Sequence, residues 1–260
     1  MEKAGVRRDA AARPKLAARG VQVAKGGVRI LDGLDLAVEG GTFVAVIGPS
    51  GAGKSTLLSL LAGLEAPDEG AVEKDGAPLS RPGSVAYMSQ SDLLLPWRNV
   101  AANVSLGLEA TGVPKKKARG RAREALERFG LGEFADRPPW ALSGGMRSRV
   151  ALLRTALLER DVLLLDEPFG ALDALTRRHL QEWLLGVRGE FAATVVLVTH
   201  DVDEALLLAD RVVVLTERPA RVALDLDVDL ERPRAMAVET TAEFARLKGR
   251  LLRALGVAGP

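Results

Sequence analysis

Between an apolar run, Phe43 to Ile47, and a helical run, Thr56 to Leu61, stands the segment Gly48-Pro49-Ser50-Gly51-Ala52-Gly53-Lys54-Ser55. It matches G-x-x-x-x-G-K-[ST], a strand-to-helix turn, and each flank is the element that such a turn requires. Glycines at 48, 51 and 53 let backbone N–H groups converge on a phosphate, and the N-terminus of the following helix, where Thr56 stands, adds its dipole. Lys54 supplies a point charge for the β- and γ-phosphates, and the Ser55 hydroxyl is placed to coordinate Mg²⁺. A buried strand that delivers its end to a helix commits the chain to an α/β fold.

The rest of the sequence agrees with that class. Short apolar runs predict strands at Val28 to Val38, Phe43 to Ile47, Ser84 to Met88, Val162 to Leu165, Thr194 to Val198 and Val212 to Leu215. Helices are predicted to begin near Gly53, Pro114, Gly144, Ala174 and Val202. From about Asp92 to Trp140 the chain has two helical patterns and no strong strand, bounded by Pro96 and by Pro138-Pro139, which predicts a helical subdomain over about residues 92–140 inserted into the α/β core. After Arg218-Pro219, a strand-like run (Val222 to Leu226) and a helix (Thr241 to Leu255) form a C-terminal extension over about residues 219–260. Met1 to Arg19 is rich in Ala and Arg and lacks the apolar core of a secretory signal, so it is read as a frayed basic extension. The domain proper is set at residues 16–260, with 1–15 outside it.

Composition narrows the function classes. The 260 residues include 36 basic and 34 acidic ones, which nearly cancel, so a nucleic-acid surface would need a concentrated basic face. The one dense run, Lys115 to Lys117 with Arg119, Arg121 and Arg123, is read as a solvated helix face, and no nucleic-acid partner is expected. There is no cysteine, and the histidines are His179 and His200 alone, which excludes thiolate and histidine-rich metal sites. No apolar stretch approaches the roughly 18 to 20 residues that span a bilayer, so the chain is expected to stay in the cytoplasm.

Two further strand ends carry chemistry. Leu163-Leu164-Leu165 ends in Asp166-Glu167, placing two carboxylates at the carboxyl edge, where ligands of open α/β sheets bind. Asp166 is assigned to the metal through its water shell, and Glu167 to orienting or deprotonating an attacking water. His200 follows the strand Val195 to Thr199 and is assigned a hydrogen bond to a γ-phosphate. His179, in mid-helix beside Arg177 and Arg178, is read as a surface residue. Leu142-Ser143-Gly144-Gly145-Met146 then leads into a helix whose Val150, Leu153 and Leu157 share a face, with Arg147, Arg149 and Arg154 on the rest of its surface. This is a second helix N-terminus suited to an anion, without a lysine of its own.

Taken together, Gly48 to Ser55, Gln90, Leu142 to Gly145, Asp166-Glu167, Ala171-Leu172-Asp173 and His200 resemble the ABC ATPase family in order and spacing over about residues 20–218. The resemblance implies a P-loop NTPase core with a mixed sheet, an N-terminal antiparallel β portion and an inserted α-helical subdomain. It implies ATP and Mg²⁺ as ligands, and hydrolysis in a head-to-tail dimer. There Ser143, Gly144 and Gly145 of one copy would face the γ-phosphate held at Lys54 of the other. Gln90 would link the magnesium to the helical subdomain, and Asp173 would communicate across the interface.

Finer motifs, Leu94 to Val100, Met146 and Asp166 to Thr176, resemble an importer branch for nitrate, sulfonate, taurine and pyrimidine precursors. The branch implies a membrane permease as partner on the inner face of the membrane, and indirectly a substrate-binding protein. The family's soluble members of translation carry two such domains in tandem, and those of DNA maintenance carry a long coiled coil. Neither feature is present. The pattern departs from the family at Lys25, where an aromatic residue usually meets adenine, and at Ser148, where the branch usually has Gln.

Overall fold

The computed structural model describes residues 13–79, 82–170, 172–187 and 194–257. At its centre lie β3 (Phe43–Ile47), β7 (Val162–Asp166), β8 (Thr194–Val198) and β9 (Arg211–Leu215), in which every residue is buried. Strands covered on both faces read as unbroken apolar runs, which is why all four are visible in the sequence. With β6 (Ala86–Met88) and β10 (Val222–Asp227) they form a six-stranded sheet in the order β10-β9-β3-β8-β7-β6. The strands from β9 to β6 are parallel, and β10 joins the edge antiparallel.

A second, antiparallel sheet has the order β2-β1-β4-β5, made of β1 (Leu16–Lys25), β2 (Val28–Val38), β4 (Glu69–Lys74) and β5 (Ala77–Pro78). The expected N-terminal antiparallel portion is therefore present. One boundary is corrected: Leu16 to Arg19, read as part of a frayed extension, belong to β1, and Leu16, Ala17 and Ala18 pair with Val38, Ala37 and Leu36. Small alanines and Gly20 hide the alternation that marks a strand. The strand read from Ser84 begins at Ala86. Residues 1–12 lie outside the described residues.

Because successive strand residues face opposite ways, the central sheet divides its side chains between two cores. Phe43, Ala45, Ile47, Leu163 and Leu165 join a core completed by Val100, Leu126, Leu153, Leu184, Leu206 and Leu251. Val44, Val46, Val162 and Leu164 join another, with Leu57 and Leu61 of α1 (Lys54–Leu61) and Leu16 and Leu36 of the antiparallel sheet.

The segment over residues 92–140 holds three helices, not two: α2 (Val100–Val104), α3 (Leu106–Ala110) and α4 (Lys115–Arg128). Helices as short as α2 and α3 end before their periodicity can declare itself. On α4, Ala118, Ala122 and Leu126 are buried at four-residue spacing while Lys115 to Lys117 are exposed, the solvated face expected. The remaining helices are α5 (Gly144–Ala156), α6 (Ala174–Val187), α7 (Val202–Leu208) and α8 (Ala242–Ala254). Buried Arg234 joins the C-terminal segment to α7 by donating to the carbonyls of Leu206 (2.9 Å) and Leu207 (3.3 Å), which cap the end of that helix. Among the described residues, no helix is long and apolar enough to cross a membrane.

Candidate active site

The parallel register brings separate strand ends to one edge. Asp166 stands opposite Val198, Val46 opposite the same Val198, and Met88 opposite Leu165. Gly48, Gln90, Glu167 and His200 follow these positions, so all four leave the same carboxyl edge. Oε2 of Glu167 is their meeting point: Gln90 Nε2 donates to it at 3.2 Å, and His200 Nδ1 lies 3.4 Å away. The Glu167 backbone has φ 45°, a left-handed conformation that costs a non-glycine residue about 1–3 kcal/mol. It is held by Glu167 N–H donating to Val198 O at 2.9 Å and by Gly170 N–H donating to Glu167 O at 3.1 Å.

Lys54 opens α1 beside this carboxylate. Its Nζ donates to the carbonyls of Gly48 (2.9 Å) and Pro49 (3.0 Å), which hold the amine inside the loop. Burial lowers the Lys54 pKa, opposed by the charges of Glu167 and Asp166. The turn is compact: Ala52 N–H donates to Pro49 O at 3.1 Å, and a Cβ on Gly53 would lie 2.7 Å from Ile30 Cγ2. Gly53 also has φ 101°, so glycine is required there on both counts. Ser50 and Thr56 complete the loop and the first turn of α1, with Thr56 half-buried.

Ser55 Oγ donates to Asp166 Oδ1 at 3.1 Å. Burial pushes the Asp166 carboxyl up, and the Ser55 hydrogen bond opposes the shift. Tyr87 approaches the other oxygen, Oδ2, at 3.5 Å, and burial followed by the Asp166 charge pushes its phenol up to about 12. Tyr87 carries no motif, and only its place two residues after Val85 on the approach to Gln90 could have pointed to it. A hydroxyl and a carboxylate this close form an oxygen donor set that suits a hard cation such as Mg²⁺. Among the described residues, no cluster of three or more His, Asp or Glu forms a separate metal site.

A second group gathers at the start of α5 and α6. Ser143 caps α5, its Oγ accepting from Met146 N–H at 3.3 Å. A Cβ on Gly144 would meet Leu172 Cδ2 at 3.7 Å, and one on Gly145 would lie only 2.1 Å from Thr176 Cγ2. Asp173 Oδ1 accepts from Thr176 N–H at 3.0 Å, and its bonding to Thr176 lowers the carboxyl pKa. The glycine pair and the Asp173 turn are thus packed together, although Ala171 lies outside the described residues. Ser143 and Asp173 are both exposed.

The arginines of α5 correct the sequence reading. Arg154 does not cover a free surface: it donates to the carbonyls of Leu93 (2.7 Å) and Asp92 (2.6 Å), and Arg147 Nε donates to Asp92 Oδ2 at 3.1 Å. They hold the loop that follows Gln90. Asn103, fully buried, grips the same loop by accepting from Leu95 N–H at 2.7 Å and donating to the carbonyls of Leu95, Arg98 and Asn99. So restrained, the loop leaves Leu93 63% and Trp97 77% exposed. Lys25, at the end of β1, pairs with Glu65 at 2.6 Å.

Residues 31–170 match the family model described as ABC transporter. The chain belongs to the ABC transporter family. Its ATP-binding cassette is 45% identical over 229 residues to the taurine import ATP-binding protein of Pseudomonas aeruginosa, covering 86% of this chain and 87% of that one. It is 48% identical over 238 residues to an aliphatic sulfonates import ATP-binding protein of Agrobacterium fabrum, covering 91% and 82%. A putative ATP-binding protein of Brucella abortus is 42% identical over 244 residues, 94% of each chain. Among solved structures, a dimeric bacterial ABC transporter cassette has a TM-score of 0.71 at 28% identity, over 83% of this chain and all of that one. The same cassette has been solved in a post-hydrolysis state with ADP and Pi, at the same TM-score of 0.71. The chain is an ATP-hydrolysing cassette of a transporter, with the mixed α/β fold its motifs predict.

Proposed function

We propose that two copies of this cassette close head to tail over two ATP molecules and drive uptake of a small solute through a permease. The observation that carries this reading is the Glu167 carboxylate, set between Gln90 and His200 at the edge that also holds Lys54, Ser55 and Asp166. Lys54 and the backbone of Gly48 to Ser55 bind the β- and γ-phosphates. Glu167 accepts a hydrogen bond from the attacking water and takes its proton, and His200 steadies the γ-phosphate. Ser55 and Gln90 would hold Mg²⁺, with Asp166 on its water shell, and the bound ion would neutralise charge developing between the phosphates.

Ser143, Gly144 and Gly145 of the second copy complete the cradle, and Asp173 of each copy faces the other. The likeness to a dimeric cassette supports this arrangement. We take residues 16–260 as one domain, with residues 92–140 as the helical subdomain and 219–260 as an extension. Its place is the inner face of the cytoplasmic membrane. The taurine and sulfonate import relatives support a cargo of the nitrate, sulfonate, taurine or pyrimidine-precursor type, delivered by a substrate-binding protein.

The test is capture of the tagged protein from detergent-solubilised membranes of its own host. A multispanning protein should co-purify and carry nucleotide-dependent affinity for the cassette. Recovery of ribosomal or DNA-bound proteins alone would overturn the reading.

A further inference from the structure

Glu204, in the first turn of α7, is 4% exposed, and its Oε1 has no hydrogen-bond partner among the described residues. Burial pushes its carboxyl up to about 8, and the charge of Asp201 adds to the shift. Thr199, Arg177 and Gln181 pull the other way without offsetting burial. The carboxyl lines a cleft of about 470 Å³ between α6, α7 and the turn Met236–Thr240.

Arg177, on the first turn of α6, spans this seam. Its Nη2 donates to Leu172 O at 3.1 Å, and its Nη1 lies 3.6 Å from Asp201 Oδ2. Leu172 precedes Asp173. Asp201 follows His200 and caps α7 by accepting from the N–H groups of Asp203 (2.9 Å) and Glu204 (3.1 Å). Arg177 therefore ties the loop of Asp173 to the loop of His200. The other charges of the cleft are matched elsewhere: Arg178 with Glu239 at 2.5 Å, and Asp203 with Lys248 of α8 at 2.7 Å.

We propose that Glu204 is a positioning residue for hydrolysis: as a neutral acid it leaves Arg177 to tie the Asp173 loop to the His200 loop, and its ionisation draws Arg177 off that tie. A buried carboxylate needs a cation close by, and Arg177 lines the same cleft, its charge acts on Glu204, and its ion pair with Asp201 is a long one at 3.6 Å. Ionised Glu204 would also stand beside Asp201, adding repulsion at the anchor that follows His200. The proposal rests on the roles given above to Asp173 and His200.

The test is the pH dependence of steady-state hydrolysis for the wild-type chain, Glu204→Gln and Arg177→Gln. For a group titrating near 8, wild-type turnover should fall about tenfold between pH 7 and pH 9. Glu204→Gln should match the wild type at pH 7 and lose that fall. Arg177→Gln should be slow at every pH, with no fall above pH 8. An unchanged alkaline fall in Glu204→Gln, the result expected if Lys54 titration caused it, would overturn the proposal. Arg177→Gln running at the wild-type rate at pH 7 would overturn it as well, since the tie would then play no part in hydrolysis, whereas His200→Ala running at the wild-type rate would fail the underlying role of that loop. Melting supplies a readout apart from activity. The folded carboxyl has a higher pKa than the unfolded one, so its destabilising effect grows from about pH 4.5 to pH 8 and is constant above. The excess of the Glu204→Gln melting temperature over the wild type should grow across that window, and a constant difference would count against the protonated, buried acid.

Discussion

Gln90 Nε2 donates to Glu167 Oε2 at 3.2 Å, so the residue that leads into the helical subdomain touches the carboxylate assigned to water. A short movement of the Gln90 loop is felt directly at the hydrolytic group. The arginine clamps from α5 on Asp92 and Leu93 tie that loop to the helix capped by Ser143.

Glu167→Gln keeps the shape and the contact with Gln90 while removing the base. Turnover should drop by at least about a hundredfold, the span of one general base, with ATP affinity changed only a few-fold. Gel filtration with ATP should then show a persistent dimer. Turnover at the wild-type rate would remove Glu167 from its assigned role.

Lys54→Ala deletes the ammonium held by Gly48 O and Pro49 O. Single-turnover hydrolysis should fall by about a hundredfold or more, by comparison with loss of one preorganised donor. Activity within a few-fold of wild type would contradict the placement of the phosphates.

Gly145→Ala forces a methyl to within 2.1 Å of Thr176 Cγ2 and should destabilise the chain by about 1–3 kcal/mol. Thr176→Ser removes that methyl. The double variant should recover most of the loss, and denaturant melts of the four proteins give the coupling. Additivity within about 0.5 kcal/mol would mean that the clash relaxes elsewhere.

Trp97 is 77% exposed on a loop whose backbone Asn103 already secures. Trp97→Ala should therefore change stability by no more than about 0.5 kcal/mol, as is usual for surface positions. Co-purification with the permease should weaken. A large loss of stability would instead make Trp97 an internal anchor.

The strands β3, β7, β8 and β9 are legible because both faces are apolar, and the motifs name the residues at their ends. β1 and β4 are not, since alanines in one and charges in the other mask the alternation; in Glu69–Lys74 only Val72 is buried. Contacts that depend on which loop lies over which helix leave no local trace. The arginine spacing of α5 predicts a solvated face, yet Arg154 donates to backbone carbonyls 61 and 62 residues away in sequence. Tyr87 is silent for the same reason: its relation to Asp166 arises from the pairing of β6 with β7.

In β7, Leu163 and Leu165 serve one core while Val162 and Leu164 serve the other. A slip of β7 by one residue against β8 would turn each of these side chains into the wrong layer, and would set Glu167 where Asp166 stands. A slip by two would satisfy both layers but carry the carboxylates about 7 Å along the strand, beyond reach of Ser55. The apolar interior therefore acts as a proofreader for the chemistry: it rejects the one-step error that would move Glu167 into the place of Asp166, and only the loop ends are left to refuse the other.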